Sequence, residues 1–229
     1  MDNSSLRTVQ KWALAGVLAA GSIALTGCNT AGYHRSGAVA ASMQVAAAEV
    51  QAESEELENV MRGLRQLANG SEDDLRISFH QFSSSLDRLK TAARRTEATG
   101  KRMVRKGDVY FESWNKDLET IDYEHIRDLS ASRRTEVTNR FAEIDRRYRE
   151  SQAAVQPLIT YLQDIRTALN SDLTQAGIKS LAGVMQNADA SAEKVRGALR
   201  ALSHELVSSS STLASYTQPA KPEETRTPQ

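Results

Sequence analysis

Four times along this chain, apolar residues recur at alternating spacings of four and three, and each run keeps its phase over many turns. Such a repeat puts one continuous apolar face on an α-helix with a period near 3.5. The first run is Val39, Met43, Ala46, Val50, Leu57, Val60, Leu64 and Leu67, interrupted only at Glu53. The second holds its register for nearly fifty residues: Leu75, Phe79, Phe82, Leu86, Leu89, Ala93, Thr96, Gly100, Met103, Gly107, Tyr110, Trp114, Leu118 and Ile121. The third is Val137, Phe141, Ile144, Tyr148, Val155, Leu158, Leu162, Ile165 and Leu169, with Ser151 in its gap. The fourth is Ile178, Leu181, Met185, Ala188, Ala192, Val195, Leu199, Leu202 and Leu206.

The punctuation between the runs is sparse. Asn69-Gly70-Ser71 supplies a helix stop, and Ser71 with Asp74 resembles a capping box. Two glycines on the core face, Gly100 and Gly107, suggest a bend or break in the second helix. Residues 122–132 are rich in Asp and Ser and read as a turn. Pro157 lies inside the third run, where proline removes a hydrogen bond and favours a kink. Asn170-Ser171 ends that run, Asp172 and Gln175 are placed to cap the next, and Ser208–Ser211 ends the fourth. No stretch alternates with period two, so strands are not expected. The expected fold is all-α: elongated antiparallel helical hairpins forming a four-helix, coiled-coil-like bundle over residues 38–210. Short connections make successive helices neighbours. Helices of unequal length would leave apolar face uncovered, which favours self-association.

The N-terminus has a different character. Arg7 and Lys11 precede an uncharged apolar run from Ala13 to Leu25. That run is too short to span a bilayer, which takes about 20 residues, and suits the core of an export signal. It ends in Leu25-Thr26-Gly27-Cys28, and Cys28 is the sole cysteine of the chain. This segment resembles the lipobox of bacterial lipoproteins. The resemblance implies peptidase recognition at Leu25, Thr26 and Gly27, and lipidation of the Cys28 thiol. The domain organisation expected is a signal peptide at 1–27, a lipidated Cys and flexible tether at 28–37, the helical domain at 38–210, and a disordered tail at 211–229 that holds three of the four prolines. Acyl chains contribute about 0.8 kcal/mol per buried CH₂, so two or more would hold the chain at a membrane without a spanning helix. Asn29 follows the cysteine. By the enterobacterial sorting rule that this resembles, the outer membrane, periplasmic face, is favoured over the inner.

Charge narrows the function classes. The chain has 29 basic and 29 acidic side chains, which speaks against nucleic acid as a partner. Acidic residues on the first helix (Glu49, Glu53, Glu55, Glu56, Glu58) face basic ones on the second (Arg88, Lys90, Arg94, Arg95) if the hairpin folds about residues 70–73. Glu49 then sits near Arg94, and Glu53 near Lys90. A second basic run, Lys101, Arg102, Arg105 and Lys106, is the candidate contact for an anionic ligand such as a lipid headgroup or lipopolysaccharide phosphate. A third, Arg133, Arg134, Arg140, Arg146, Arg147 and Arg149, is interleaved with carboxylates. For both, pairing with neighbouring acids is the competing reading. His34, His80, His125 and His204 lie far apart with no ligand spacing, so no metal site and no cofactor is expected. No nucleophile elbow, phosphate loop or HExxH occurs, and no catalytic residues are assigned. Tyr110 and Trp114 sit one turn apart on the core face; core packing and a partner-binding aromatic patch are both open.

From about Ser78 to Leu206 the chain also resembles a bacterial family of lipoproteins with a long-helical domain of unknown function. Phe79 with Phe82, the Tyr110-Phe111-x-x-Trp114-x-x-Asp117-Leu118 segment, Arg147-Tyr148, Val155-x-Pro157-Leu158, Ala168-Leu169-Asn170 and Ile178-x-x-Leu181 carry the likeness. It implies long helices and an envelope location, and no known activity. The expected function is therefore a non-enzymatic, lipid-anchored scaffold that pairs with itself or with another envelope protein. The alternative is a module that binds anionic lipid, lipopolysaccharide or another envelope ligand through its basic flanks.

Overall fold

The computed structural model describes residues 32–214. The signal peptide expected at 1–27, Cys28, and residues 215–229 of the tail expected from 211 lie outside the described residues. Four long helices and one short one make up the rest: α1 (Gly32–Asn69), α2 (Leu75–Glu119), α3 (Glu124–Ser171), α4 (Gln175–Ser180) and α5 (Ala182–Ala214). A single 3-10 turn, Glu72–Asp74, joins α1 to α2. Among the described residues there is no strand.

The packing is a closed ring. Helix α1 lies against α2 and α5, and α3 closes the other side against the same two. Pairing across each interface runs in opposite directions. Arg65 and Arg196 of α1 and α5 meet Asp189 and Glu58 in antiparallel order, and Gly100 and Gly107 of α2 face Tyr148 and Phe141 of α3. This is an all-α four-helix bundle, as the periodicity predicts. The four stripes turn inward almost in full: Val50, Leu57, Leu86, Ile144, Leu162, Ala192 and Leu202 are at or near zero exposure. Each buried Leu or Ile contributes about 1.5–3 kcal/mol. Most of each stripe is consumed within the chain, and the large apolar side chains left exposed include Val45, Ile77, Val109, Ile126 and Leu129.

Several boundaries move from where the sequence places them. Helix α1 begins at Gly32, inside the stretch expected to be a tether, because its first turns are packed: Ser36, Val39 and Ala40 are buried and Arg35 pairs with Asp117 of α2. Helix α2 runs unbroken through Gly100 and Gly107. The turn expected at 122–132 shrinks to Thr120–Tyr123, and α3 takes in the rest. Nothing is fully buried on α2 beyond Phe111 or on α3 before Val137. Those two helix ends bury less than the middle, and the start of α3 carries no inward stripe to mark it as helix, although Trp114 still packs on the core and Asp117 holds Arg35.

Pro157 is inside α3 and does not end it. It is exposed, as is Ala153, whose carbonyl it leaves without a partner, so water can take that site. Helix α5 passes through the serine run to Ala214, with Ser209, Ser210 and Leu213 buried. Ser210, Ser211 and Thr212 donate their hydroxyls to carbonyls one turn back, which keeps these residues compatible with a helix. The cap after α3 is Thr174, whose hydroxyl accepts from Gly177 N at 3.1 Å. Asp172 instead accepts from Thr174 at 2.8 Å, and Gln175 donates to the Gly70 carbonyl at 2.9 Å. Ser71 does not cap α2; its hydroxyl donates to Asp74 at 2.7 Å.

Candidate functional site

Cys28, expected to be lipidated, and Leu25, Thr26 and Gly27, expected for peptidase recognition, lie outside the described residues. The basic run on α2 is resolved, and the helix divides it. Lys101 faces α3 and pairs with Glu97 at 2.6 Å. Arg102 and Lys106 face α1, and Arg105 stands on the ridge between the two grooves. The four cations therefore do not form one patch.

The grooves differ in charge. Between α2 and α3 a cavity of about 530 Å³ has Lys101 and Arg149 on its rim together with Glu97 and Asp145, their own partners. Both of those cations are thus neutralised within the cavity, and Arg105 on the ridge is not. Between α1 and α2 a groove of about 440 Å³ has Arg102, Arg105 and Lys106 along one wall and Arg35 at its end. Its floor is apolar: Ala38, Val39, Val109 and Tyr110. Arg102 donates to Thr99 Oγ1 at 2.7 Å, but among the described residues Arg102, Arg105 and Lys106 form no salt bridge. A third cavity, about 370 Å³, opens at the Gly32 end between Ser36, Tyr110, Trp114, Ile121 and Leu213. There Trp114 Nε1 donates to Ser130 Oγ at 3.0 Å, and its ring packs at 5.5 Å on Tyr110.

The third basic run is neutralised along α3 itself except at Arg134, which donates to the Phe111 carbonyl of α2 at 3.3 Å. Arg133 and Arg140 share Glu136, Arg146 and Arg147 share Glu143, and Arg149 takes Asp145. Arg133, Arg146 and Arg140 are spent on their own helix, the outcome expected for interleaved charges. The α1–α2 flank is laced as anticipated, with a shifted register. Glu49 pairs with Arg95 at 3.4 Å rather than Arg94, and Glu56 with Arg88 at 3.1 Å. The added 3-10 turn lengthens the connection and moves the partners. Lys90 goes to Asp87 of its own helix, at 3.9 Å.

Glu53 has no cation. It occupies a core position of the first stripe with zero exposure, and neither carboxylate oxygen has a hydrogen-bond partner. Burial pushes its carboxyl up to about 7; the neighbouring Thr96 hydroxyl, which donates to the Glu49 carbonyl at 3.2 Å, pulls weakly the other way. The Tyr148 hydroxyl and the Gln152 amide are buried and unpartnered as well. Burial raises the Tyr148 hydroxyl above its ordinary value, and the Glu53 charge adds to that. The interruption of the stripe at Glu53 was visible in the sequence; Tyr148 and Gln152 carried no signal, because one looked like core and the other like surface.

Among the described residues no three His, Cys, Asp or Glu side chains gather as a metal site would need. No described helix is long and apolar enough to cross a membrane. The family described as "Protein of unknown function (DUF2959)" matches residues 26–211. No curated protein and no solved structure matches the chain.

Proposed function

Given that the chain belongs to the DUF2959 family, we propose that it is a lipid-anchored helical protein of the bacterial envelope that holds partners at a membrane without catalysing a reaction. One observation carries this reading: Cys28 precedes Gly32, the first residue of α1, by only four positions. Four residues reach at most about 14 Å. A diacylglyceryl thioether on Cys28 would therefore keep the end of the bundle where α1 starts close to the membrane surface. The connections at residues 70–74 and 172–174 would point away, toward the periplasm and any protein partner there. The Leu25-Thr26-Gly27-Cys28 segment and the apolar run before it support export and acylation, and Asn29 supports the outer membrane. With the apolar seams buried inside the bundle, partners are to be met through its flanks and ends.

Intact-mass analysis of the protein from native envelopes tests the anchor. We expect a chain beginning at Cys28 and carrying the mass of a diacylglyceryl group and a further acyl chain. An unacylated Cys28, or cleavage elsewhere, would overturn the reading. Crosslinking in the same envelopes tests the scaffold role, and only a random background of products would count against it.

A further inference from the structure

We propose that the α1–α2 groove binds an anionic membrane lipid, with its phosphate on Arg102, Arg105 and Lys106 and its apolar part on Val39, Val109 and Tyr110. The inference rests on the anchored placement proposed above and names the ligand class for that end of the bundle. Three features of the groove bear it. Arg102, Arg105 and Lys106 form no salt bridge among the described residues, in contrast to Lys101 and Arg149 on the neighbouring groove. Its floor is apolar, and Val109 is 66% exposed, a cost in water that an acyl segment would remove. It begins in the first turns of α1, at Arg35, Ala38 and Val39, a few residues from Cys28.

A cationic wall over an apolar floor is complementary to a molecule with an anionic head and an apolar body, and to neither a free anion nor a neutral lipid alone. Cations near an anionic membrane surface contribute about 1 kcal/mol each. Asp108 is on the same stretch of α2 and Asp117 holds Arg35. The attraction is therefore concentrated on Arg102, Arg105 and Lys106.

The test is native mass spectrometry of the full chain released from micelles of neutral detergent doped with equal amounts of phosphatidylglycerol and phosphatidylcholine. We expect the wild type to retain phosphatidylglycerol preferentially. Joint Arg102→Glu and Lys106→Glu substitution should reduce that adduct about tenfold or more, as expected for two lost cation contacts. Arg76→Glu, at the opposite end of α2, should leave it unchanged. Val109→Asp, which charges the floor, should also reduce it. Circular dichroism of each variant shows that the bundle is kept, since all four sites are exposed. Equal retention of the two lipids, or an undiminished adduct in the double variant, would overturn the proposal. Displacement of the lipid by inorganic phosphate at matching concentration would overturn it too, in favour of a free-anion site. The mass of the Cys28 peptide, read separately, shows whether the anchor itself is present, so failure of either reading is distinguishable.

Discussion

Glu53 is the residue whose surroundings conflict most with its chemistry. Its folded carboxyl is raised to about 7 from 4.5, so the native state holds a proton that the unfolded chain has released. The Glu53 contribution to stability is then fully present below pH 4.5 and is lost as pH rises through about 7, by about 3 kcal/mol in all. Denaturant melts of Glu53→Gln should lack this fall, making the variant more stable than wild type at pH 8 and similar at pH 4.5. A wild-type profile flat across this window would refute the assignment. The glycines on α2 make a second case. A Cβ on Gly100 would lie 2.2 Å from the Tyr148 ring, and one on Gly107 2.2 Å from the Phe141 ring. Alanine raises helix propensity by about 1 kcal/mol, yet overpacking here should cost about 1–3 kcal/mol net. Gly197 has nothing within 4 Å of the added atom, so Gly197→Ala should instead stabilise by about 0.5–1 kcal/mol. Thermal melts of Gly100→Ala and Gly107→Ala should therefore move down and that of Gly197→Ala up.

The helices explain which readings of the sequence succeed. Where a helix has neighbours on both sides, the four-three spacing identifies its core face residue by residue, as on α1 from Val39 to Leu67 and on α3 from Val137 to Leu169. Where an element overhangs or ends, the same logic fails. The start of α3 was invisible because Ile126 and Leu129 are exposed and no burial is imposed there. Phe111, not Tyr110, is the buried residue of its pair, set edge-on to Phe141 at 5.5 Å; adjacent aromatics differ by 100° of helix rotation, which only the partner's position resolves. The serine-rich end of α5 tests the corrected boundary. Leu213 is 6% exposed, so Leu213→Ala should cost about 2 kcal/mol. Val207→Ala, at an exposed site, should stay within about 0.5 kcal/mol. Equal, negligible effects in chemical denaturation would mean that the last turn is not packed.

For the bundle as a unit, the closing contact is α1 with α5, the pair most distant in sequence. Arg196 reaches across it to Glu58, whose carboxyl it holds below the usual range, and Arg65 reaches to Asp189 at 2.9 Å. The ring is complete through the middle and thins beyond Phe111 and Val137, where no described side chain of α2 or α3 is fully buried although Arg35 of α1 still pairs with Asp117. Tyr123, Ile126 and Leu129 are exposed there among Asp122, Glu124 and Asp128. Local opening should concentrate in that stretch. In hydrogen exchange, amides of residues 113–131 should lose protection well before those of 57–67 and 82–93, and uniform protection would contradict this picture. If Cys28 anchors the chain as proposed, the same thin end lies toward the membrane.

Spacing along the chain was enough to establish the long helices and their inward faces, because a helix sums its side chains along a fixed angular period that needs no partner; the break that divides the fourth stripe into α4 and α5 was not in it. It was also enough to mark the leader, Cys28 and the basic run as the places where function would be sought. What it could not supply was phase between helices. Whether Lys101 and Arg102 share a patch, which arginine meets Glu49, and whether Gly100 bends a helix or seats a ring all depend on how one cylinder is rotated and shifted against another. Those quantities are set by the simultaneous packing of four surfaces, and they exist only once the ring has closed.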